Sequence, residues 1–352
     1  MKTVHYIIVG LGLAGLAFAE KALGQGKKVV VFDTKTNAAS RVAAGLYNPV
    51  ILKRYTLPYQ AEEQLDLTTR FFKNLSEKLQ IDATRPMPVW KILSSVEDQN
   101  NWFTASDKPG MGRFIKPQLM KPENGSIEAP FQLGEVQESG KVDIPELLDA
   151  YRIYLASEEI LITENFDHSL IQFKDDAVIY KDIQAGHIVF AEGFGLKQNT
   201  FFNELPLVGN KGEYLIIEAA QLQLKTALKS GIFIVPLGKD RYKVGATFNW
   251  KDKNWENTQA ARDEILAKLK KMINCEYKVV DQIAGIRPTT GDRRPLIGKH
   301  PKHKQLALLN GLGTRGTMMG PYLANLLFQH LENDGVLPPE VDVNRFASKM
   351  RD

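Results

Sequence analysis

The chain has 352 residues, 43% hydrophobic and 24% charged, with a formal net charge of +4, a pI near 8.8 and a mean hydropathy of −0.24. These values exclude a disordered polymer and a multi-span membrane protein, and they allow two domains or one elaborated α/β domain. The single cysteine, Cys275, excludes internal disulfides and a cysteine-based zinc cage, which fits a cytoplasmic location.

Val4 to Val9, β-branched or aromatic at most positions, predicts a buried strand. The apolar run from Tyr6 to Ala19 resembles a signal peptide, but Gly10, Gly12 and Gly15 break it at a spacing with its own explanation. A helical pattern follows to about Leu23, where Gly24 and Gly26 stop it, and Lys28 to Phe32 predicts a second strand ending at Asp33. The order is strand, G-x-G-x-x-G, helix, strand, acid, which is what a dinucleotide site requires. Gly10 allows the tight turn, Gly12 lets a pyrophosphate approach the backbone, and Gly15 lets the helix pack on the strands. Leu13 and Ala14 open a helix whose N-terminus favours phosphates. Asp33 can accept hydrogen bonds from a ribose.

Further along, small residues from Ala39 to Pro49 suit a chain running beside a flat cofactor, with Ser40 and Arg41 able to meet its phosphates. Glu62 to Leu79 predicts an amphipathic helix with Leu65, Phe71, Phe72, Leu75 and Leu79 near one stripe. The Pro- and Gly-rich stretch 108–134 reads as loop. Asp143 caps a helix with Pro145 in its first turn and Glu146 at capping-box spacing. Ile188 to Phe190 predicts a strand before Ala191-Glu192-Gly193, and Ile232–Pro236 with Val244–Thr247 predicts a strand pair. Glu264 to Ile273 is a second amphipathic helix. Ala284-Gly285-Ile286-Arg287-Pro288 follows. His300 and His303 bracket a proline among lysines and read as a surface turn, not a metal site. Asn310 to Thr317 is a glycine-rich loop leading into a helix to about Leu331.

Taken in this order, the landmarks resemble the D-amino-acid oxidase/glycine oxidase superfamily of FAD enzymes along nearly the whole chain. The resemblance implies an α/β architecture: an FAD-binding Rossmann-like domain of the glutathione-reductase type, and a substrate domain with an α+β antiparallel sheet. The first would comprise 1–85, 141–205 and 281–352, the second 86–140 and 206–280. It implies non-covalent FAD, because the flavin-linking cysteine of sarcosine oxidase relatives matches Pro288 and Cys275 lies elsewhere. It further implies cofactor contacts at Leu13, Ala14, Thr34, Ala44, Gly45, Leu46, Phe166, Gly193, Gly313, Thr314, Arg315, Gly316 and Thr317.

In glycine oxidase-like enzymes the arginine matching Arg287 pairs with the substrate carboxylate, and its planar fork suits two parallel bonds. The competing reading is an ion pair with Asp292. Tyrosines that hold the carboxylate in glycine oxidase fall at Phe233 and Leu228, which carry no hydroxyl. The expected reaction is oxidation of a CH–NH bond in a small amine or amino acid by hydride transfer to flavin. Leu312-Gly313-Thr314-Arg315-Gly316 is also similar to the FAD module of the bifunctional enzyme that trims carboxymethylaminomethyl groups on tRNA uridines, an alternative that the mild basicity suits. A flavin-binding module without turnover is a third. The expected partner is a small molecule, with no nucleic acid and no membrane span.

Overall fold

The structure, a computed structural model, describes residues 1–35 and 38–350. Its first sheet has eight strands, and the opening strand Lys2–Val9 lies near its centre. That strand pairs in parallel with Val29–Phe32 on one side and Ile183–Phe190 on the other. Leu306–Asn310 continues the sheet in parallel, and Leu296–Lys299 closes that edge antiparallel. Strands of this kind are buried on both faces, which explains their continuous apolar sequence. Tyr6 and Ile8 pack under the helices Leu13–Leu23 and Gly316–Asn333, while Ile7 and Val9 face a second cluster with Phe32, Tyr180, Phe190 and Phe202.

The second sheet has seven strands in the order Lys278–Arg287, Asn210–Glu218, Arg241–Gly245, Phe233–Gly238, Ala227–Lys229, Val89–Ile92 and Leu133–Val136. All neighbours are antiparallel except Ala227–Lys229 with Val89–Ile92. On its outer face Leu215, Ile217, Leu228, Ile234 and Val244 pack against Ile265 and Leu269 of the helix Gln259–Leu269. Its inner face looks at the first sheet. Lys278–Arg287 pairs with Asn210–Glu218 from Lys278 to Arg287, so the boundary expected at 281 falls inside a strand of this second sheet.

Local readings hold where short-range chemistry governs them. Leu65, Phe72 and Leu75 are buried on the helix Ala61–Leu79, and Asp143 accepts a hydrogen bond from Glu146 N. Gln259–Leu269 begins five residues before the expected Glu264 because Thr258 caps it, accepting from Ala261 N. His300 sits in a turn, as its sequence suggests, but it is buried against Phe202 with ring centroids 5.2 Å apart. Only His303 lies outward, stacked on Phe173. Among the described residues no grouping of His, Cys, Asp and Glu could hold a metal, and no helix is long and apolar enough to cross a membrane.

Candidate functional site

A cavity of about 840 Å³ runs from the glycine loop across to the inner face of the second sheet. At the loop, Gly10 takes φ +95°, and a Cβ there would stand 2.7 Å from the Ala191 carbonyl oxygen. A Cβ on Gly15 would stand 1.9 Å from the Gly10 oxygen, so Gly15 serves the packing of helix on strand and does not line the cavity. Gly12, Leu13 and Ala14 do line it. Ser40 closes the loop from above, its Oγ accepting from Leu13 N at 3.0 Å.

Asp33 lines the cavity and is held on several sides. Its Oδ1 accepts from Leu11 N at 2.9 Å, its Oδ2 from Lys35 N at 2.9 Å, and the Arg152 guanidinium pairs with it. The helix Ile144–Ser157 delivers Arg152, which nothing local to the glycine motif signals. Thr34, Phe166 and His168 line the same end. Phe166 stacks on Tyr180 at 4.1 Å, and His168 contacts Glu192, which Asn199 also bonds.

Arg41 is turned away from the cavity. It donates twice to Asp149, at 2.7 and 3.2 Å, and holds that carboxyl down at about 2, with Lys35 adding to the effect. The expected phosphate contact at Arg41 is therefore corrected: an acid from a distant helix already occupies the guanidinium. Ala44, Gly45 and Leu46 do line the cavity, and Gly45, at φ +69°, passes close under the Val142 carbonyl.

At the far end, Gly313, Thr314, Arg315, Gly316 and Thr317 lead into the helix Gly316–Asn333 and line the cavity, as does Gly193. Arg315 is half-buried, and desolvation of its guanidinium lowers it to about 10. It donates to the Asn48 carbonyl at 2.9 Å, and its Nε has no partner among the described residues. A half-buried cation with an idle donor beside a helix N-terminus suits a flavin ring or another group that gains negative charge.

The inner face of the second sheet completes the site. Directly opposed residues share a face, and the row Lys229, Phe233, Gly245 and Tyr214 runs across four strands. Gly212 and Lys243 stand two residues along on the same side, and Arg287 opposes Asn210. Except for Asn210, all of these line the cavity. Arg287 Nη1 donates to Asn210 Oδ1 at 2.8 Å and to the Thr247 carbonyl at 3.2 Å, and its guanidinium lies 4.7 Å over the Phe248 ring. Gly212 gives it room, since a Cβ there would lie 2.0 Å from Nη2. The ion pair considered for Asp292 is absent: Asp292 accepts from Arg345 and Arg294 N.

Three residues here escape sequence reasoning. Tyr214 brings a phenol to the face on which one expected tyrosine position carries Phe233; the other, Leu228, points outward into the apolar cluster. Lys243 is buried, its ammonium lowered to about 8 by desolvation and then by Lys141, and it donates to the carbonyls of Val42 and Ala43 at 3.1 Å each. Lys229 is lowered to about 8 by desolvation and then by Lys91. The alternation of Leu228-Lys229 and Tyr242-Lys243-Val244 is the signal that could have placed both lysines on the polar face.

With this geometry in place, comparison with known proteins is informative. The family model described as FAD dependent oxidoreductase matches residues 5–330. Glycine oxidase of Bacillus licheniformis is 30% identical over 347 residues, covering 93% of this chain and 92% of that protein. The tRNA 5-methylaminomethyl-2-thiouridine biosynthesis bifunctional protein MnmC of Legionella pneumophila is 25% identical over 313 residues, covering 84% of this chain but 45% of that protein. The crystal structure of glycine oxidase from Geobacillus kaustophilus has the same fold, with a TM-score of 0.80 at 22% identity over 97% of this chain and 98% of that one.

Proposed function

The chain belongs to the FAD-dependent oxidoreductase family, and from that premise we propose that it oxidises the CH–NH bond of a small amine or amino acid bearing a carboxylate. The observation that carries this reading is Arg287, a guanidinium on the cavity face with no acid partner among the described residues. An amino-acid carboxylate completes it through the fork of parallel bonds for which Arg is suited.

FAD supplies the hydride acceptor. The cavity lining fits it: the glycine loop and the N-terminus of the helix beginning at Leu13 would hold its pyrophosphate, with Asp33, Thr34 and Phe166 at the end that would take the adenosine. Ser40 and the run Ala44–Leu46 would border the middle, while Gly313–Thr317 with Arg315 would face the ring that gains negative charge. No cysteine lines the cavity among the described residues, which leaves no thiol for a cysteinyl flavin link and supports the reading that FAD is held non-covalently. Arg287 orients the substrate so that its CH lies toward the ring. Tyr214 lines the cavity with a phenol that can donate a hydrogen bond, Phe233 adds apolar lining, and Phe248 lies against the Arg287 guanidinium. The C–H bond breaks with its electron pair leaving as hydride, the lone pair of the neutral amine nitrogen forms the C=N bond of an iminium, and water hydrolyses that iminium afterwards, with its proton released to solvent. We infer a cytoplasmic location, which a single unpaired cysteine suits.

The test is an anaerobic screen of amines and amino acids recording loss of the flavin's visible absorbance. Bleaching by carboxylate-bearing amines is expected; no bleaching by any amine overturns the reading. The MnmC match favours a second reading, a modified tRNA uridine as substrate. Tight tRNA binding with a steep salt dependence would establish it.

A further inference from the structure

Lys229 is the cation on the inner sheet face that no protein group answers. Arg287 is fixed by Asn210 and Thr247, and Lys243 by two carbonyls. Lys229 has neither a hydrogen bond nor an ion pair among the described residues; its ammonium lies only over the Phe233 ring, 4.7 Å from the centroid. The neighbouring lysines are satisfied, Lys91 by Asp98 and Lys268 by Glu264, so no acid is left for it there. It nevertheless lines the cavity.

Burying an ammonium among other cations is costly unless a counter-charge arrives. We propose that Lys229 is a second anion subsite, and that the substrate is an amino acid or N-substituted amino acid ending in a second anionic group, a carboxylate or a phosphate. This rests on the amine-oxidation reading, with Arg287 holding the first carboxylate. Four strand spacings separate the strands carrying Arg287 and Lys229. At about 4.8 Å per spacing, with a further four residues of offset along the strands at about 3.3 Å each, the Cα atoms stand roughly 23 Å apart, and extended side chains reaching toward one another bring the two charges to on the order of 10–20 Å. An extended substrate spans that gap; glycine does not.

Two arms test the subsite on FAD-loaded protein. In the first, calorimetry measures the binding of inert α,ω-dicarboxylates from succinate to dodecanedioate, each against the monocarboxylate of equal length and against its ω-phosphate counterpart. Wild type is expected to favour a long dianion over the monoanion by on the order of ten- to a hundredfold, the range for a charge-assisted hydrogen bond. Lys229→Met should lose that preference while Lys229→Arg keeps it, and the better of the two terminal groups names the anion. No preference in wild type, or a preference that survives in Lys229→Met, overturns the subsite. So does its loss in Lys229→Arg at unchanged FAD content.

The second arm records flavin bleaching by amino acids with charged or esterified tails. Lys229→Met should raise half-saturation for charged tails alone and leave the limiting rate in place; equal effects on both tails overturn the subsite. If no amine bleaches wild type, the oxidation reading fails, and the first arm still decides on the subsite.

Discussion

Arg287 is oriented by Asn210, whose Oδ1 accepts from Nη1 at 2.8 Å, so an amide and not a carboxylate fixes the guanidinium that faces the cavity. A neutral partner leaves the positive charge uncompensated for a ligand. Arg287→Lys keeps the charge and loses the fork; Arg287→Ala loses both. Flavin reduction by carboxylate-bearing amines should slow in the first and further in the second, by roughly 2–5 kcal/mol in transition-state terms. FAD content should hold and uncharged amines should be much less affected. Stopped-flow reduction with both substrate types decides it, and equal losses on the two would remove the clamp.

Asp33→Ala should weaken FAD binding by about 1.5–3 kcal/mol, the range for a charge-assisted hydrogen bond. It should also lower the melting temperature of the ligand-free protein, because Leu11 N, Lys35 N and Arg152 all lose their acceptor. Arg152→Ala provides the comparison, losing the brace while leaving the carboxylate. An FAD titration showing equal affinity in Asp33→Ala and wild type would take Asp33 off the ribose. Acid precipitation should release intact FAD into the supernatant; flavin that stays with the pellet contradicts non-covalent binding.

Gly12 and Gly15 should fail differently. A Cβ at position 15 would stand 1.9 Å from backbone oxygen, whereas at position 12 it meets only Ser40 Oγ at 3.0 Å. Gly15→Ala is expected to lose folding stability, on the order of 1–3 kcal/mol or more from overpacking. Gly12→Ala should fold nearly as wild type and bind FAD weakly. Paired urea melts and FAD titrations check this, and a Gly15→Ala protein of wild-type stability would contradict it.

Burial sets a pH dependence at Lys243. Its folded value, about 8, lies below the ordinary lysine value of 10.5. Between these values the unfolded chain binds more protons, so stability rises with pH across that window and the penalty is fully present below about pH 8. Lys243→Met should be more stable than wild type at neutral pH by up to roughly 3 kcal/mol, and its stability should climb less between pH 8 and 10.5. Lys229 adds a slope of the same sign. Urea midpoints of the ligand-free proteins across that range measure the difference, and parallel curves for variant and wild type would contradict it.

The glycine loop was legible in the sequence because its parts are neighbours in the chain: Gly10, Gly12, Gly15 and Asp33 span one βαβ unit. The caps at Asp143 and Thr258 are equally local, although only the first was read. Arg41 was misread because Asp149, far along the chain, claims it. His300 was placed outside because nothing near it reveals Phe202. The floor of the site was the least legible part. Whether Leu228 or Lys229 faces the cavity depends on registers set across strands from 89 to 287, and a shift by one residue exchanges the two faces.

A Cβ on Gly316, at the start of the last long helix, would stand 3.4 Å from Leu13 Cδ1 in the first. The two ends of the chain thus meet at the cofactor, with the whole second sheet threaded between them. Synthesis proceeds from the N-terminus, so the glycine motif emerges early but waits for almost the entire polypeptide before its lining is complete. A nascent chain halted before Gly316 carries the recognisable fingerprint and no finished pocket, so the flavin site is completed by the last long helix and not by the first domain made.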